Sequence, residues 1–290
     1  MAPAPAVTDL VATRAGGRHP GTSHSTGESF DPFGFSSAFD AYQRVVEDRT
    51  TVTDDVHRLL LEHDVDRVLD CAAGTGLPAL DLRQRGVRID CSDGDPEMVA
   101  QFQRNAKRNR VDDRCDVRCW SQLPELGASY DYLLCRGNSL VYATTWRGGS
   151  DVAPAHLLGK YLGSFRSVLR PGGTLHVDVP RRLDLQLSRR QLDSSPLARL
   201  VESEYEGPLR RIAVAEDVVE EETCRRWRVE LEVIPETGQP VQVEFERCSS
   251  RLIVDDLEPM LVRAGFVDIE RRSLSSDRPS HVTVLARNPG

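Results

Sequence analysis

The chain has 290 residues, a formal net charge of −8, and 28% charged against 39% hydrophobic residues. A surface that binds nucleic acid needs a local excess of positive charge, and the arginines here are interleaved with acids, so we expect no nucleic-acid partner. No apolar run approaches the roughly 18 residues that span a bilayer, and the N-terminus lacks a basic-then-apolar signal pattern. We therefore expect a cytoplasmic protein without a membrane partner.

The seven cysteines are an odd number and are scattered along the chain. Cys115 and Cys119 form the only close pair in the sequence, and no second pair at zinc-ligand spacing accompanies them. A free cysteine behaves as a small hydrophobic residue, so buried free thiols are expected. The same scarcity of ligand clusters predicts that the protein needs no metal.

The first part of the chain changes character near residue 35. Residues 1–35 are rich in Ala, Pro, Gly, Ser and Thr and lack apolar periodicity, which is typical of a flexible arm. Apolar residues between positions 45 and 61 then recur at helical spacing and predict one or two amphipathic helices. From residue 67 onward, strand-like and helix-like segments alternate. This alternation predicts a mostly parallel sheet covered by helices on both faces.

The strand-like segments are "RVLDCA", "VRIDCSD", "DVRCW", "YDYLLCRG" and "TLHVDVP". The helix "HLLGKYLGSFRSVLR" is expected to end at "PGG", and "PEMVAQFQRNAKRN" carries proline in its first turn, where helices tolerate it. Beyond residue 180, long alternating segments predict an antiparallel β insertion. We therefore divide the chain into an arm (1–35), an α/β core with N-terminal cap helices (36–180), a β-rich insertion (181–253), and a C-terminal helix and hairpin that complete the core (254–290).

The turn after the first strand, in "VLDCAAGTG", carries very little side chain. In an open parallel sheet, ligands bind beyond the carboxyl ends of the strands. Gly74 and Gly76 let the backbone approach a ligand, because they have no Cβ to hold it away, and Ala72 keeps the neighbouring surface small. Asp93 ends the next strand, where a carboxylate can accept bonds from two ribose hydroxyls. The turn therefore fits a nucleoside.

The glycine spacing alone leaves the nucleoside open. Residues 74–79 read G-x-G-x-x-A, which a dinucleotide fingerprint tolerates, so an NAD-dependent oxidoreductase is one alternative. Asp70 ahead of the glycines instead resembles the first motif of class I S-adenosylmethionine-dependent methyltransferases. The segments "VLDCAAGTG", "DGDPEM", "CW", "YDYLLCRGNSL" and "LRPGGTLHVD" follow in the order and spacing of glycine N-methyltransferase and its small-molecule relatives, over roughly residues 38–287.

This resemblance implies a Rossmann-like α/β fold with a seven-stranded, mostly parallel sheet and an antiparallel β insertion that acts as a lid over the substrate. It implies S-adenosylmethionine as the cofactor, without a metal. It also implies that the core domain, residues 36–180, holds the cofactor. A small-molecule substrate is the partner that the resemblance implies, and a homo-oligomer is left open.

The resemblance assigns cofactor contacts residue by residue. Asp93 resembles the acid that holds the ribose, and Arg49 the arginine that pairs bidentately with the methionyl carboxylate. Tyr42 falls near a tryptophan that covers the cofactor. Cys119 and Trp120 stand where the family reads adenine with Asn-Trp, and cysteine is a departure because a thiol is a poor hydrogen-bonding group. Further cofactor contacts are implied for Ala72, Gly74, Gly76, Gly94, Met98 and Arg136.

The resemblance also assigns the substrate side. Asn138 matches the asparagine that faces the substrate amine and is, with Tyr142, a candidate catalytic residue. Trp146 follows in the same loop and could line the substrate pocket. Arg181 and Arg182 follow the fifth strand close to the arginine that grips the substrate carboxylate in glycine N-methyltransferase. Proline stands near that arginine's own position, which puts specificity for glycine in doubt. The candidate substrate-binding residues are Arg181, Arg182, Trp146 and Tyr205.

The function that these features favour is methyl transfer to a small amine or amino-acid-like metabolite. The protein then mainly positions the two reactants, and the amine has only to arrive unprotonated. An alternative is C- or O-methylation of a natural-product precursor, which needs a base such as Glu202, Glu204 or Tyr205. A third reading, from another class, is a non-catalytic nucleoside-binding protein.

Overall fold

The computed structural model describes residues 34–146, 155–182, 190–193, 209–220, 224–235 and 241–290. Nearly all of the arm predicted over residues 1–35 lies outside these ranges. Within them the chain forms two β-sheets, one of seven strands and one of four. None of the helices in these ranges combines the length and the apolar character that a membrane crossing requires.

The seven-stranded sheet has the order β10-β11-β5-β4-β1-β2-β3. Its strands are β1 (Val68–Asp70), β2 (Ile89–Asp93), β3 (Asp116–Val117), β4 (Tyr130–Cys135), β5 (Leu169–Pro180), β10 (Val267–Arg272) and β11 (His281–Arg287). The first five strands pair in parallel, and β11 runs antiparallel to both β5 and β10. The predicted mostly parallel sheet with a closing antiparallel pair is confirmed.

Six α-helices lie in the described ranges. They are α1 (Phe35–Val46), α2 (Arg49–Glu62), α3 (Ala79–Gln84), α4 (Pro96–Asn109), α5 (Ala155–Val168) and α6 (Val254–Arg263). Helix α2 starts after Asp48, whose carboxylate accepts bonds from two backbone N–H groups of the first turn. Helix α4 starts with Pro96 after an Asp95 cap, as the proline in "PEMVAQF" predicts.

The helices cover both faces of the sheet. Successive strand residues point to opposite faces, so each strand contributes apolar side chains to both. Val68 and Tyr132 pack into a core with α2, α3 and α4. Their neighbours Leu69 and Leu133 pack into a second core with α1, α5 and α6. The second core extends to the four-stranded sheet, so α1 and that sheet lie on the same side of the molecule.

The four-stranded sheet, called the lid here, is fully antiparallel in the order β6-β7-β8-β9. Its strands are β6 (Arg190–Asp193), β7 (Leu209–Glu220), β8 (Arg225–Pro235) and β9 (Val241–Ser249). Its register pairs Glu216 with Val229 and Val218 with Trp227, so Glu216 and Trp227 are diagonal neighbours on one face. Within the insertion predicted over residues 181–253, most of the described residues belong to these four strands.

Two local expectations are wrong. Helix α5 ends at Val168, before "LRPGG", and that segment is part of β5. The β4–β5 register shifts there, and a Cβ on Gly173 would lie 3.0–3.1 Å from three backbone oxygens, so only glycine fits this close approach. The strand predicted for "DVRCW" is also only two residues long, and Trp120 begins a 3₁₀ helix, Trp120–Leu126.

Candidate functional site

The glycine turn after β1 lies between the ends of β1 and β2 and the cap helix α1. Gly74 and Gly76 have φ of +52° and +112°, a region that favours glycine. The Asp93 carboxylate accepts a bond from the Gly74 N–H at 2.8 Å. The Thr75 hydroxyl donates to the side-chain oxygen of Gln43 at 3.0 Å, which ties α1 to the turn. The Asp93 carboxylate and the partly buried backbone of the turn thus face each other at the strand ends.

Asp70 is a fully buried carboxyl at the end of β1. It accepts a bond from the Ala72 N–H at 3.1 Å. Burial, the largest influence, raises its pKa to about 7; the Ala72 bond and the charge of Arg136 oppose this, while the neighbouring Asp93 adds to it. Through its bond to the Ala72 N–H, Asp70 stabilises the start of the turn.

Trp120 lies on the opposite side of the turn. Its indole N–H donates to the Cys71 carbonyl at 2.8 Å, and its ring meets Tyr161 and Phe165 of α5 edge-on at 5.3 Å. Cys119 is the exposed thiol among the seven free cysteines, and the other six are buried, as predicted. The indole is thus fixed in place beside the backbone that follows β1.

A cavity of about 1010 Å³ opens beside the ends of β4 and β5. Helices α1 and α2, the lid and the β10–β11 loop complete its walls. One wall is aromatic and packs mainly edge-to-face, an arrangement that ring quadrupoles favour. The aromatic residues that line the cavity are Phe39, Tyr42, Tyr142, Trp146 and Trp227.

Asn138 follows β4 and lines this cavity in a left-handed conformation, with φ of +59°. Its backbone N–H donates to both oxygens of Asp178 at 3.0 Å. Its side-chain oxygen, Oδ1, is buried and has no hydrogen-bond donor in the described part of the chain. A buried acceptor without a donor costs about 1–3 kcal/mol. Asn138 thus contributes a buried acceptor whose donor is not among the described residues.

Asp178 lies in β5, two residues before its end, and is 9% exposed. Burial raises its pKa to about 6, although the positive charge of Arg136 and the Asn138 N–H act in the opposite direction. Arg136 itself is held by Glu47, at 3.2 Å, at the end of α1. The cavity lining thus includes a buried carboxyl that is bonded to the backbone of Asn138.

Glu216 of the lid joins three other parts of the chain. Its Oε1 accepts bonds from the Tyr42 hydroxyl at 2.7 Å, the Trp227 indole at 2.9 Å and the Arg278 guanidinium at 2.9 Å. Arg278 also donates to the Tyr42 hydroxyl at 2.6 Å. Burial acts to raise the pKa of Glu216, but Arg278 and these bonds outweigh it and hold the pKa below its usual value. We call this set the Glu216 junction.

The structure divides the residues singled out from the sequence into two main groups. The large cavity is lined by Tyr42, Arg136, Asn138, Tyr142, Trp146, Arg181 and Arg182. The glycine turn and the strand ends next to it carry Ala72, Gly74, Gly76, Asp93, Gly94, Cys119 and Trp120. Gln43 borders the cavity and bonds to the turn, so the two groups are neighbours across α1.

The remaining singled-out residues are not part of these two groups. Arg49 pairs with the Asp81 carboxylate of α3 at 2.8 Å and lines a small pocket with Thr75 and Gly76 of the glycine turn. Met98 is completely buried on α4. Tyr205 lies outside the described residues, as do Glu202 and Glu204. Their roles stay predictions.

Several cavity residues were not singled out from the sequence. Asp178 had a usable signal, because it is a charged residue near the end of the otherwise apolar strand "TLHVDVP". Glu216 and Arg278 had none: the first sits among many acids in "VAEDVVEEE", and the second lies in a polar loop. Only the packing of the lid on α1 distinguishes them.

The described residues contain no group of three or more His, Cys, Asp or Glu side chains that could hold a metal ion. That the protein needs no metal stays a prediction.

Comparisons with known proteins agree on the class. Residues 68–173 match the family model of a methyltransferase domain. The chain is 31% identical over 122 residues to a glycine/sarcosine N-methyltransferase of Parasynechococcus marenigrum, which covers 42% of this chain and 40% of that protein. It is 28% identical over 128 residues to the glycine N-methyltransferase of Rattus norvegicus, covering 41% and 42%. The chain thus spans less than half the length of these curated relatives.

Solved structures share the fold over much more of the chain. A sugar N-methyltransferase from Streptoalloteichus has a TM-score of 0.68 at 17% identity and covers 95% of this chain and all of its own. A S-adenosylmethionine-dependent methyltransferase from Clostridium acetobutylicum has a TM-score of 0.64 at 16% identity, covering 88% and 98%. These identities support the fold alone.

The fold is that of the class I S-adenosylmethionine-dependent methyltransferases. The match of residues 68–173 to a methyltransferase-domain model agrees with the resemblance stated from the sequence. The residues of the turn fit the cofactor of this class: a Cβ on Gly74 would meet only one backbone oxygen, at 4.0 Å, so the backbone is open to a ligand.

Proposed function

We propose that the protein transfers a methyl group from S-adenosylmethionine to the nitrogen of a small-molecule amine that binds in the large cavity. The proposal is carried by Asn138, which lines the cavity at the end of β4 and whose buried side-chain oxygen has no donor among the described residues. An amine N–H bound to this oxygen satisfies it and holds the nitrogen in one orientation.

The chain's own residues then mainly position the reactants. S-adenosylmethionine, when bound, supplies an activated methyl group, so orientation and exclusion of water are the tasks left to the protein. Burial raises the pKa of the Tyr42 and Tyr142 hydroxyls, so both phenols stay protonated at neutral pH. Neither phenol is therefore suited to act as a general base.

The cavity favours an amine larger than glycine. A volume of about 1010 Å³ with an aromatic wall exceeds what a small zwitterion fills, even beside a bound cofactor. Arg181 and Arg182 are exposed at its rim, and Arg181 bonds to the Ser273 hydroxyl at 2.8 Å. The similar proteins named above include glycine and sugar N-methyltransferases, which share nitrogen as the acceptor but differ in the scaffold that carries it.

The test is transfer of tritiated methyl from S-adenosylmethionine to a panel of acceptors. The panel holds glycine, sarcosine, an aminosugar, cyclohexylamine and phenylalaninamide, with a phenol and a sugar alcohol as oxygen acceptors. We expect label on amines, and more on those with a ring than on glycine. Label on oxygen acceptors alone, or on none of the panel, would overturn the proposal.

Asn138→Ala should reduce turnover of the best amine at least tenfold while leaving the affinity for S-adenosylhomocysteine within about twofold, because losing a bond to one neutral group costs about 1.5 kcal/mol. Asn109→Ala, an asparagine at the far end of α4, is the matched control and should change neither quantity. Equal losses in cofactor affinity and turnover for Asn138→Ala would place it in the cofactor site instead.

The cofactor site has its own test by calorimetry. Asp93→Ala should weaken S-adenosylhomocysteine binding by about 1.5–3 kcal/mol, the usual value of bonds to a charged partner. Asp90→Ala, an exposed acid on the same strand, is the control. NAD should give no heat of binding, and an unchanged dissociation constant for Asp93→Ala would remove Asp93 from the ribose position.

A further inference from the structure

Two acceptor groups meet at the ends of neighbouring strands in the cavity. Asp178, near the end of β5, and Asn138, just after β4, both line it. In the described part of the chain the backbone N–H of Asn138 is the only hydrogen-bond donor to the Asp178 carboxylate. The side-chain oxygen of Asn138 has no donor there at all. Among the described residues these two acceptor groups thus receive one hydrogen bond donor, although the Arg136 guanidinium also lies near Asp178.

These acceptor groups fit a ligand with several N–H groups and a positive charge. An ionised carboxylate offers about four acceptor positions, so one backbone N–H leaves most of them available. A buried carboxylate is stable only when it is paired or hydrogen-bonded. A protonated amine brings several N–H donors and a positive charge to the Asp178 carboxylate, whereas a hydroxyl has only one hydrogen to give.

We propose that Asp178 binds the substrate as an ammonium ion and takes up the proton that the nitrogen must lose before methylation. This rests on the proposed N-methylation. One N–H proton passes to the carboxylate, which becomes a neutral acid, and the amine gains its lone pair. That pair forms the N–C bond to the methyl carbon while the C–S bond breaks and its electrons stay on sulfur. The product leaves as a methylammonium ion, and Asp178 returns its proton to water.

The surroundings of Asp178 suit a proton acceptor. Arg136 faces it from the end of β4, Glu47 from the end of α1 and Asp277 from the β10–β11 loop. The arginine lowers the pKa of Asp178 and the two acids raise it, while burial, the largest influence, brings it to about 6. The group is therefore ionised at neutral pH, yet it is a better base than an exposed aspartate with a pKa near 3.9.

The rival role is purely structural, in which Asp178 only holds Asn138 in its left-handed turn. Asp178→Asn separates the two roles, because an amide oxygen still accepts the Asn138 N–H but cannot take up a proton. The probes are cyclohexylamine and phenylalaninamide. Alkyl and α-amino groups differ in pKa by about 2.5 units, so a requirement for free amine gives different pH profiles for the two probes.

In the wild-type protein we expect kcat/KM to rise with pH around pH 6 for both probes, because the base belongs to the protein. In Asp178→Asn the rise should move to the pKa of each amine. A wild-type profile that follows the amine pKa, or an Asp178→Asn profile that keeps its rise near pH 6, overturns the inference while leaving N-methylation standing. Asp268→Asn, an exposed acid on β10, is the control for both profiles.

Binding gives a readout without turnover. Calorimetry measures the binding of each amine probe to the protein with S-adenosylhomocysteine bound. For the wild type, binding should be about tenfold weaker at pH 5 than at pH 7.5, because Asp178 becomes protonated at the lower pH. Asp178→Asn should bind weakly at both pH values. A pH-independent wild-type affinity contradicts the inference, and this arm stands even if the variant does not fold. Failure to methylate any amine of the panel overturns the proposed function and this inference together.

Discussion

The Glu216 junction is expected to stabilise the packing of the lid on the core, and Glu216→Gln tests it. The side chain of Glu216 is 8% exposed, and its single oxygen Oε1 takes donors from α1, β8 and the β10–β11 loop. Glutamine keeps a neutral acceptor of the same shape but removes the negative charge. The change thus isolates the charge-assisted part of three hydrogen bonds.

The magnitude follows from these contacts. A hydrogen bond to a charged group contributes about 1.5–3 kcal/mol against about 1 kcal/mol for a neutral one, and the three bonds share one oxygen, so their differences do not add. Arg278 is 34% exposed, and solvent therefore screens its ion pair with Glu216. We expect Glu216→Gln to lower the free energy of unfolding by about 2 kcal/mol. Glu216→Ala should cost about 3–4 kcal/mol, because it leaves buried donors unpaired.

The assay is urea unfolding at pH 7, followed by tryptophan fluorescence and by circular dichroism. Glu244→Gln is the matched control, since Glu244 also pairs with an arginine of β8, Arg228 at 2.9 Å, but is 54% exposed. It should cost less than about 1 kcal/mol. If Glu216→Gln costs no more than Glu244→Gln, the junction does not stabilise the lid and the reasoning is refuted.

Three further predictions concern the glycine turn. The stability of Asp70→Asn relative to the wild type should increase as pH rises from about 4 to about 7, by at most about 4 kcal/mol. The reason is that ionising a buried acid with a raised pKa destabilises the wild-type fold. Urea unfolding at pH 5 and at pH 7.5 measures the difference. Gly76→Ala should cost about 2–4 kcal/mol in the same assay, because φ is +112° and the new Cβ would lie 2.5 Å from Leu80. Cys119 should be the one thiol that reacts quickly with a maleimide in the native protein, and S-adenosylhomocysteine should slow it, as mass spectrometry can show.

Each of these has an outcome that would count against it. Asp70→Asn must show a stability difference that grows with pH, and a constant offset contradicts the buried ionisation. For Gly76→Ala, Gly127→Ala is the control for positive φ without a clash, since nothing lies within 4 Å of its Cβ position. Equal costs for the two variants would mean that the contact with Leu80 is relieved. Rapid labelling of a second cysteine would contradict the burial of the other six.

The sequence predicts the central sheet well because its signals are local. Each core strand is a short apolar run followed by a turn or a helix start, and Pro96 marks the start of α4 directly. The "LRPGG" segment was misjudged because its glycine serves a close approach to β4, a contact that is remote in sequence. Chain-order patterns carry information about neighbours in sequence and much less about neighbours in space.

The residues of the glycine turn and those of the large cavity differ in how well local sequence patterns predict their positions. Gly74 and Asp93 follow strand ends in a motif, so their proximity could be predicted. Glu216 lies more than 170 residues from Tyr42 in sequence, and nothing local distinguishes it from the other acids of β7. Asn138 was singled out only through the family resemblance, and its unpaired oxygen is a property of the folded cavity.

The position of the lid in the chain has a consequence for redesign. The lid leaves the core after β5 and returns before α6, so it is one continuous segment, and in the described ranges its strands pair only with one another. The seven strands of the central sheet lie outside that segment. The lid can therefore be exchanged as a cassette between proteins of this architecture, with Glu216 and Trp227 kept as the docking contacts. Such chimaeras would leave the glycine turn intact.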